Sequence, residues 1–125
     1  MIAFFRNEGG AGVVDRYLSD RQNHCLIHCV NLCEVYYDFY RCGGEDIAIG
    51  IVEDLQQTGV SFRSDLTIAF WQQVARYKAT IARIALADCF ALTLAHREQG
   101  ILVTSDRKEF EPLQPLNLCT IEFIR

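Results

Sequence analysis

A lone carboxylate inside an apolar helical stretch is the feature of this sequence that most restricts its fold. In IALADCFALTLAHREQGILVTSD, residues 84–106, Asp88 has Ile84, Ala85, Ala91 and Leu92 at its helical neighbour positions. An ionised group taken out of water must be paired, protonated or bound to a cation, and the helix itself offers Asp88 no such partner. Gly100 is expected to end this helix. Residues 101–104 then form a short β-rich run that delivers a second carboxylate, Asp106, just past its end. In open α/β folds ligands bind beyond the carboxyl ends of parallel strands, so two acids converging there suggest a divalent metal.

The remaining chain supports an α/β class. Residues 11–18 read as a short helix, 24–29 as a short buried strand, and 30–40 as a helix. Residues 45–57 form an amphipathic helix with Ile47, Ile51 and Leu55 on one stripe. Residues 60–62 read as a brief strand. Ser64 or Asp65 is expected to cap a helix whose buried stripe is Ile68, Trp71, Val74, Ala75, Ala79 and Ala82. After Asp106 a single turn, RKEF, leads through Pro112 and Pro115 to a last strand near residues 119–123. Short strands alternating with helices predict a three-layer α/β/α domain with a parallel sheet. At 125 residues, with half of them hydrophobic, one domain spanning 1–125 is the simplest organisation.

Several classes of function are disfavoured. No apolar run reaches the length of a membrane span, and the N-terminus lacks a secretory leader, so the expected location is cytoplasmic, with no membrane partner. A net charge of −4 gives no general attraction to nucleic acid, which would have to be held by local basic groups and metal ions. The six cysteines lack zinc-ribbon spacing and read as small buried thiols. The cluster His24, Cys25, His28, Cys29 and Cys33 is a poor zinc site. On a strand, same-face residues four apart stand about 13 Å from each other. No serine elbow or cysteine partner supports a nucleophilic triad.

Each acid also has a structural alternative. Asp88 could be the N-cap of a helix starting at Cys89. Asp106 and Glu109 have the spacing of a capping box for the next helix, a role compatible with metal binding. Glu34 shares a helical face with Asn31 and Asp38, near Arg41, which reads as an ordinary solvated stripe.

Taken together, VNLCEVYYDFY, LADCFALTLAHREQGILVTSD and RKEFEPL resemble, in order and spacing, the three later signature segments of the PIN domain family, the nuclease fold of VapC-like toxins. The resemblance implies that Glu34, Asp88 and Asp106 are acidic site residues holding Mg²⁺ or Mn²⁺, with Thr104 and Ser105 as near-site supports. It further implies hydrolysis of RNA phosphodiester bonds without a protein nucleophile, with Arg107, Lys108 or Arg6 available to phosphates. A toxin role, a cognate antitoxin and homodimerisation, for which the aromatic helix VYYDFY offers a surface, come with it. PIN domains begin with a central strand ending in a further Asp, and this sequence starts just after that position. The expectation is therefore a PIN-like fold with its first strand absent or truncated, in which residues 24–29 and 101–104 pair directly or another chain fills the gap. The alternative function is a catalytically silent PIN-like module that binds RNA or a protein partner.

Overall fold

The computed structural model describes residues 1–81 and 83–125 and is an α/β protein with two compact units, Met1–Ser64 and Asp65–Arg125. Among the described residues no helix is long and apolar enough to cross a membrane. The charge is unevenly divided. The second unit has seven basic and seven acidic residues, and the first has five and nine, so the whole net charge of −4 lies in the first.

The first unit runs α1 (Ile2–Phe5), α2 (Ala11–Ser19), β1 (Leu26–His28), α3 (Cys29–Gly43), α4 (Glu45–Gln57) and β2 (Ser61–Arg63). β1 and β2 pair in parallel, with Leu26 opposite Ser61 and His28 opposite Arg63. The helical hairpin α3–α4 supplies the crossover that a parallel pair requires. β1 is shorter than the expected 24–29. His28 ends it and turns to cap the next helix, its Nδ1 accepting from the Val30 N–H at 3.2 Å. Ile27, Val35, Phe39, Ala48, Leu55 and Val60 form the core. On α4 the buried line is Ala48 and Leu55, with Ile51 beside it, whereas Ile47 is 52% exposed. The stripe is thus displaced by one residue at its start. Four residues, Ile47, Ala48, Ile49 and Ile51, crowd the first turns, and their spacing alone does not choose a face.

Gly44 joins the two helices at φ 87°, ψ 178°, a conformation essentially closed to residues with a side chain. A Cβ there would meet nothing within 4 Å, so the cost of adding one is purely conformational. Gly44→Ala should destabilise the first unit by about 1–3 kcal/mol. Gly50→Ala, inside α4 and equally uncrowded, should stabilise it by about 0.5–1 kcal/mol. Urea unfolding followed by far-ultraviolet circular dichroism distinguishes the two, and equal midpoints would show that Gly44 is not constrained.

The second unit runs α5 (Ile68–Thr80), α6 (Leu86–Arg97), β3 (Ile101–Thr104), α7 (Arg107–Phe110), a 3-10 segment (Glu111–Leu116) and β4 (Thr120–Phe123). β3 and β4 pair in parallel, Ile101 opposite Thr120 and Thr104 opposite Phe123. The ladders among the described residues are therefore β1–β2 within the first unit and β3–β4 within the second.

Two sequence expectations in this unit shift. Thr67, not Ser64 or Asp65, caps α5, its hydroxyl accepting from the Phe70 N–H at 3.3 Å. The buried stripe of α5 is Phe70, Val74 and Tyr77, while Ile68 and Trp71 are 66% and 47% exposed. Both faces of this helix are apolar. Two aromatic rings remove more surface from water than a stripe dominated by alanines, and that difference selects the face turned inward. Ala82, placed in the stripe by sequence, lies outside the described residues.

The end of α6 is also displaced from its expected residue. In place of Gly100, Gln99 takes the left-handed conformation that stops the helix, at φ 52°. The Gln99 N–H bonds to the His96 carbonyl (3.2 Å) and the Gly100 N–H to the Ala95 carbonyl (2.9 Å), completing a Schellman termination.

All six cysteines are free, and only Cys89 is fully buried, whereas Cys33 and Cys42 are exposed. Burial pushes the Cys89 thiol up to about 11, aided by Asp88 and Glu109 and opposed by Lys78. At pH 8 Cys33 and Cys42 should react rapidly with a thiol reagent and Cys89 only upon unfolding. Mass mapping of partly alkylated protein checks this, and early labelling of Cys89 would contradict its enclosure.

Candidate metal centre

Three carboxylates meet in the second unit. Asp88, Asp106 and Glu109 each offer an oxygen, and these oxygens lie within 4.8 Å of one another. Asp88 and Glu109 are half-buried and Asp106 is exposed. They come from three local features: the first turn of α6, the position after β3, and α7.

The arrangement follows from two helix starts that exchange their usual partners. α6 begins at Leu86 with Ala85 as N-cap, which has no side-chain oxygen to offer. Asp88 is therefore the third residue of the helix and not its N-cap. An acid at that position ordinarily reaches back to the N-cap N–H. Here the Ala85 N–H donates instead to Oε2 of Glu109 at 2.9 Å, and Asp88 is hydrogen-bonded to Glu109. At α7 the capping role expected of Asp106 is present, with Oδ1 accepting from the Glu109 N–H at 3.0 Å. The reciprocal half of that box is not made by Glu109. The Asp106 N–H donates to Thr104 Oγ1 at 3.0 Å, which satisfies it and leaves the Glu109 side chain to reach α6.

Charge at the cluster is partly offset. Lys78 on α5 donates from Nζ to the Ile84 carbonyl at 2.7 Å, beside the start of α6. A hydrogen bond from Asp88 is the largest influence on Glu109. With the Ala85 N–H and the charges of Lys78 and Lys108, it holds this carboxyl below the ordinary carboxylate range, against the opposing effect of burial. A divalent cation lets carboxylates approach one another.

The donor set fits a hard cation. Oxygens on opposite sides of an octahedral Mg²⁺ stand about 4.2 Å apart, at metal–oxygen distances of ~2.1 Å. Only one of the three oxygen pairs can take that separation and the others would stand about 3.0 Å apart, so the three acids would close in to share one ion, and water would complete its coordination.

Of the acids expected from sequence, Asp88 and Asp106 are brought together. Glu34 is half-buried on α3 in the first unit, where its neighbour Asp38 pairs with Arg6 at 2.7 Å and with Arg41 at 3.3 Å. Glu109 was legible only as a capping partner. Its additional role had one signal: a helix whose N-cap is alanine must find an acceptor for its first N–H elsewhere. Thr104, one of the two residues expected beside the site, accepts from the Asp106 N–H at 3.0 Å.

The histidine and cysteine cluster does not assemble. His24 Nε2 meets Ser61 Oγ at 3.0 Å, Cys25 donates to the Tyr17 carbonyl, and His28 caps α3. Among the described residues Asp88, Asp106 and Glu109 are the group with metal-ligating spacing. No family model matches the chain, and no curated protein matches it.

Proposed function

We propose that the chain is a metal-dependent endoribonuclease of PIN type, built in three layers, whose Mg²⁺ or Mn²⁺ is held by Asp88, Asp106 and Glu109. The observation that carries this is the convergence within 4.8 Å of a carboxylate from the first turn of α6 and two from the N-cap and body of α7. An acid cluster of that density is costly unless protons or cations neutralise it. When bound, the cation supplies charge neutralisation on a phosphodiester and activation of water. The chain's own groups hold the carboxylates in place: Thr104 fixes the Asp106 backbone, the Ala85 N–H fixes Glu109, and Lys78 balances charge at the α6 start. Lys108, close to Asp106, is available to the scissile phosphate, whereas Arg107 donates to the Arg125 carbonyl at 2.7 Å and pairs with Glu111 at 3.5 Å.

The resemblance to VapC-like toxins extends this to the toxin of a toxin–antitoxin pair, acting as a homodimer and restrained by a cognate antitoxin. The test is cleavage of a single-stranded RNA with Mn²⁺ against the same reaction in EDTA, run on the wild type, Asp88→Asn, Glu109→Gln and Glu34→Gln. Cleavage that requires Mn²⁺ and is lost in the first two variants supports the assignment. Glu34→Gln reports whether α3 contributes an acid, and cleavage indifferent to Asp88 and Glu109 overturns the site.

A further inference from the structure

On α5 the residues Ile68, Trp71, Ala75 and Ala79, which sequence placed in the core with Val74, are exposed, and the helix surface around them carries a second set of chemistry. A recess of about 460 Å³ is lined by Gln72, Gln73 and Arg76 of α5, His96 and Arg97 of α6, and Gln99. A neighbouring recess of about 430 Å³ is lined by Trp71, Ala75 and Ala79 and shares Gln72 and Arg76 with the first. Arg76 therefore stands between a polar hollow and an indole.

Among the described residues no acid lines either recess, and neither guanidinium has a carboxylate partner. Arg76 donates to Gln73 Oε1 at 3.0 Å, and Arg97 lies over the Phe70 ring at 5.4 Å, which orients both without neutralising them. His96 directs Nδ1–H to the Leu118 carbonyl. Trp71 is 47% exposed although it is a large aromatic ring.

We infer that this face binds single-stranded RNA, with Trp71 stacking on a base and Arg76 and Arg97 holding backbone phosphates. An exposed aromatic platform beside cations without counter-charges is how single strands are gripped without sequence preference, since every base has a π-face and every linkage a charge. Carboxamides at Gln72, Gln73 and Gln99 add donors and acceptors for base edges and 2′-hydroxyls. The second unit is neutral overall, so these local cations are not countered by a surplus of acid on their own unit. A second copy of the chain is disfavoured as occupant, because a two-fold contact would set this patch against itself and bury guanidiniums without counter-charges.

RNA as the ligand follows from the proposed nuclease function, so binding is measured where that function is silent. Trp71 is the chain's single tryptophan and reports directly. In EDTA, titration with an oligouridylate should quench its fluorescence. Arg76→Gln combined with Arg97→Gln should weaken binding and reduce the slope of log affinity against log salt by about 1.4, at about 0.7 for each phosphate no longer neutralised. Trp71→Ala, followed by anisotropy of labelled RNA, should weaken binding about tenfold, within the range for one lost base stack. Trp71, Arg76 and Arg97 are exposed, and circular dichroism verifies that the variants fold. Quenching with these losses supports the inference even if no cleavage is found. RNA binding without quenching and with an unaltered salt slope overturns it, as does a Trp71 signal that follows protein concentration instead of RNA.

Discussion

Asp88→Asn should lower Mn²⁺-dependent RNA cleavage by at least about a hundredfold while leaving the fold intact. Outer groups that only orient metal ligands already cost about 10- to 100-fold when removed, so the loss of a carboxylate proposed as a direct ligand should equal or exceed that range. The substitution is nearly isosteric, and the new amide can still donate to Glu109. Its structural cost is confined to one favourable charge at the α6 N-terminus, about 0.3–1 kcal/mol. The cation supplies an independent readout. At about a hundred times its dissociation constant, Mn²⁺ should stabilise the wild type by about 2.7 kcal/mol, and this protection should vanish in the variant. Denaturation with and without Mn²⁺, beside a cleavage assay on the same samples, separates outcomes. Equal Mn²⁺ protection of both proteins would remove Asp88 from the site.

The second large effect concerns the platform under two of the three acids. α7 has four residues, far too few to hold a helix by its own hydrogen bonds. It persists because Asp106 caps it and Phe110, 1% exposed, is buried. Phe110→Ala should therefore cost about 3–5 kcal/mol, a large part of the roughly 5–15 kcal/mol that stabilises a typical domain. Phe110→Leu, which keeps more volume, should cost clearly less. Urea unfolding can be followed by Trp71 fluorescence, because the second unit holds the single tryptophan. A loss below about 1 kcal/mol, far under the range for an emptied aromatic site, would mean that α7 is anchored by something other than this ring. Since Asp106 and Glu109 flank the same turn, Phe110→Ala should also lose Mn²⁺ protection without altering any ligand.

Secondary structure was legible wherever a punctuating residue agreed with the periodicity. α4 runs over the expected 45–57 between Gly44 and Gly59, and β3 over the expected 101–104. Inward faces were harder to read where apolar residues lie on two sides, as on α5, since periodicity counts positions and burial weighs areas. Strand pairing was not legible either. Segments of three or four residues carry little register information, and the helices connecting them decide which ones meet.

At the site, Asp88 and Asp106 stood out for different reasons, one as an acid in an apolar helix and the other as an acid at a strand end. Glu109 did not stand out, because its spacing from Asp106 already had a sufficient local explanation. What redirected it is a long-range backbone donor, Ala85, 24 residues earlier in the chain. No periodicity contains that information.

The Thr104 hydroxyl gives this site an unusual dependency. By occupying the Asp106 amide it denies Glu109 the nearby resting place that a self-contained helix start would offer. The geometry of three acids is thus governed by an uncharged group that belongs to none of them. A chain carrying valine there would keep every carboxylate and every charge, yet Glu109 would have a competing destination one turn away. Selection on such a centre reaches beyond its negative residues, to an alcohol that a search for acids would pass over.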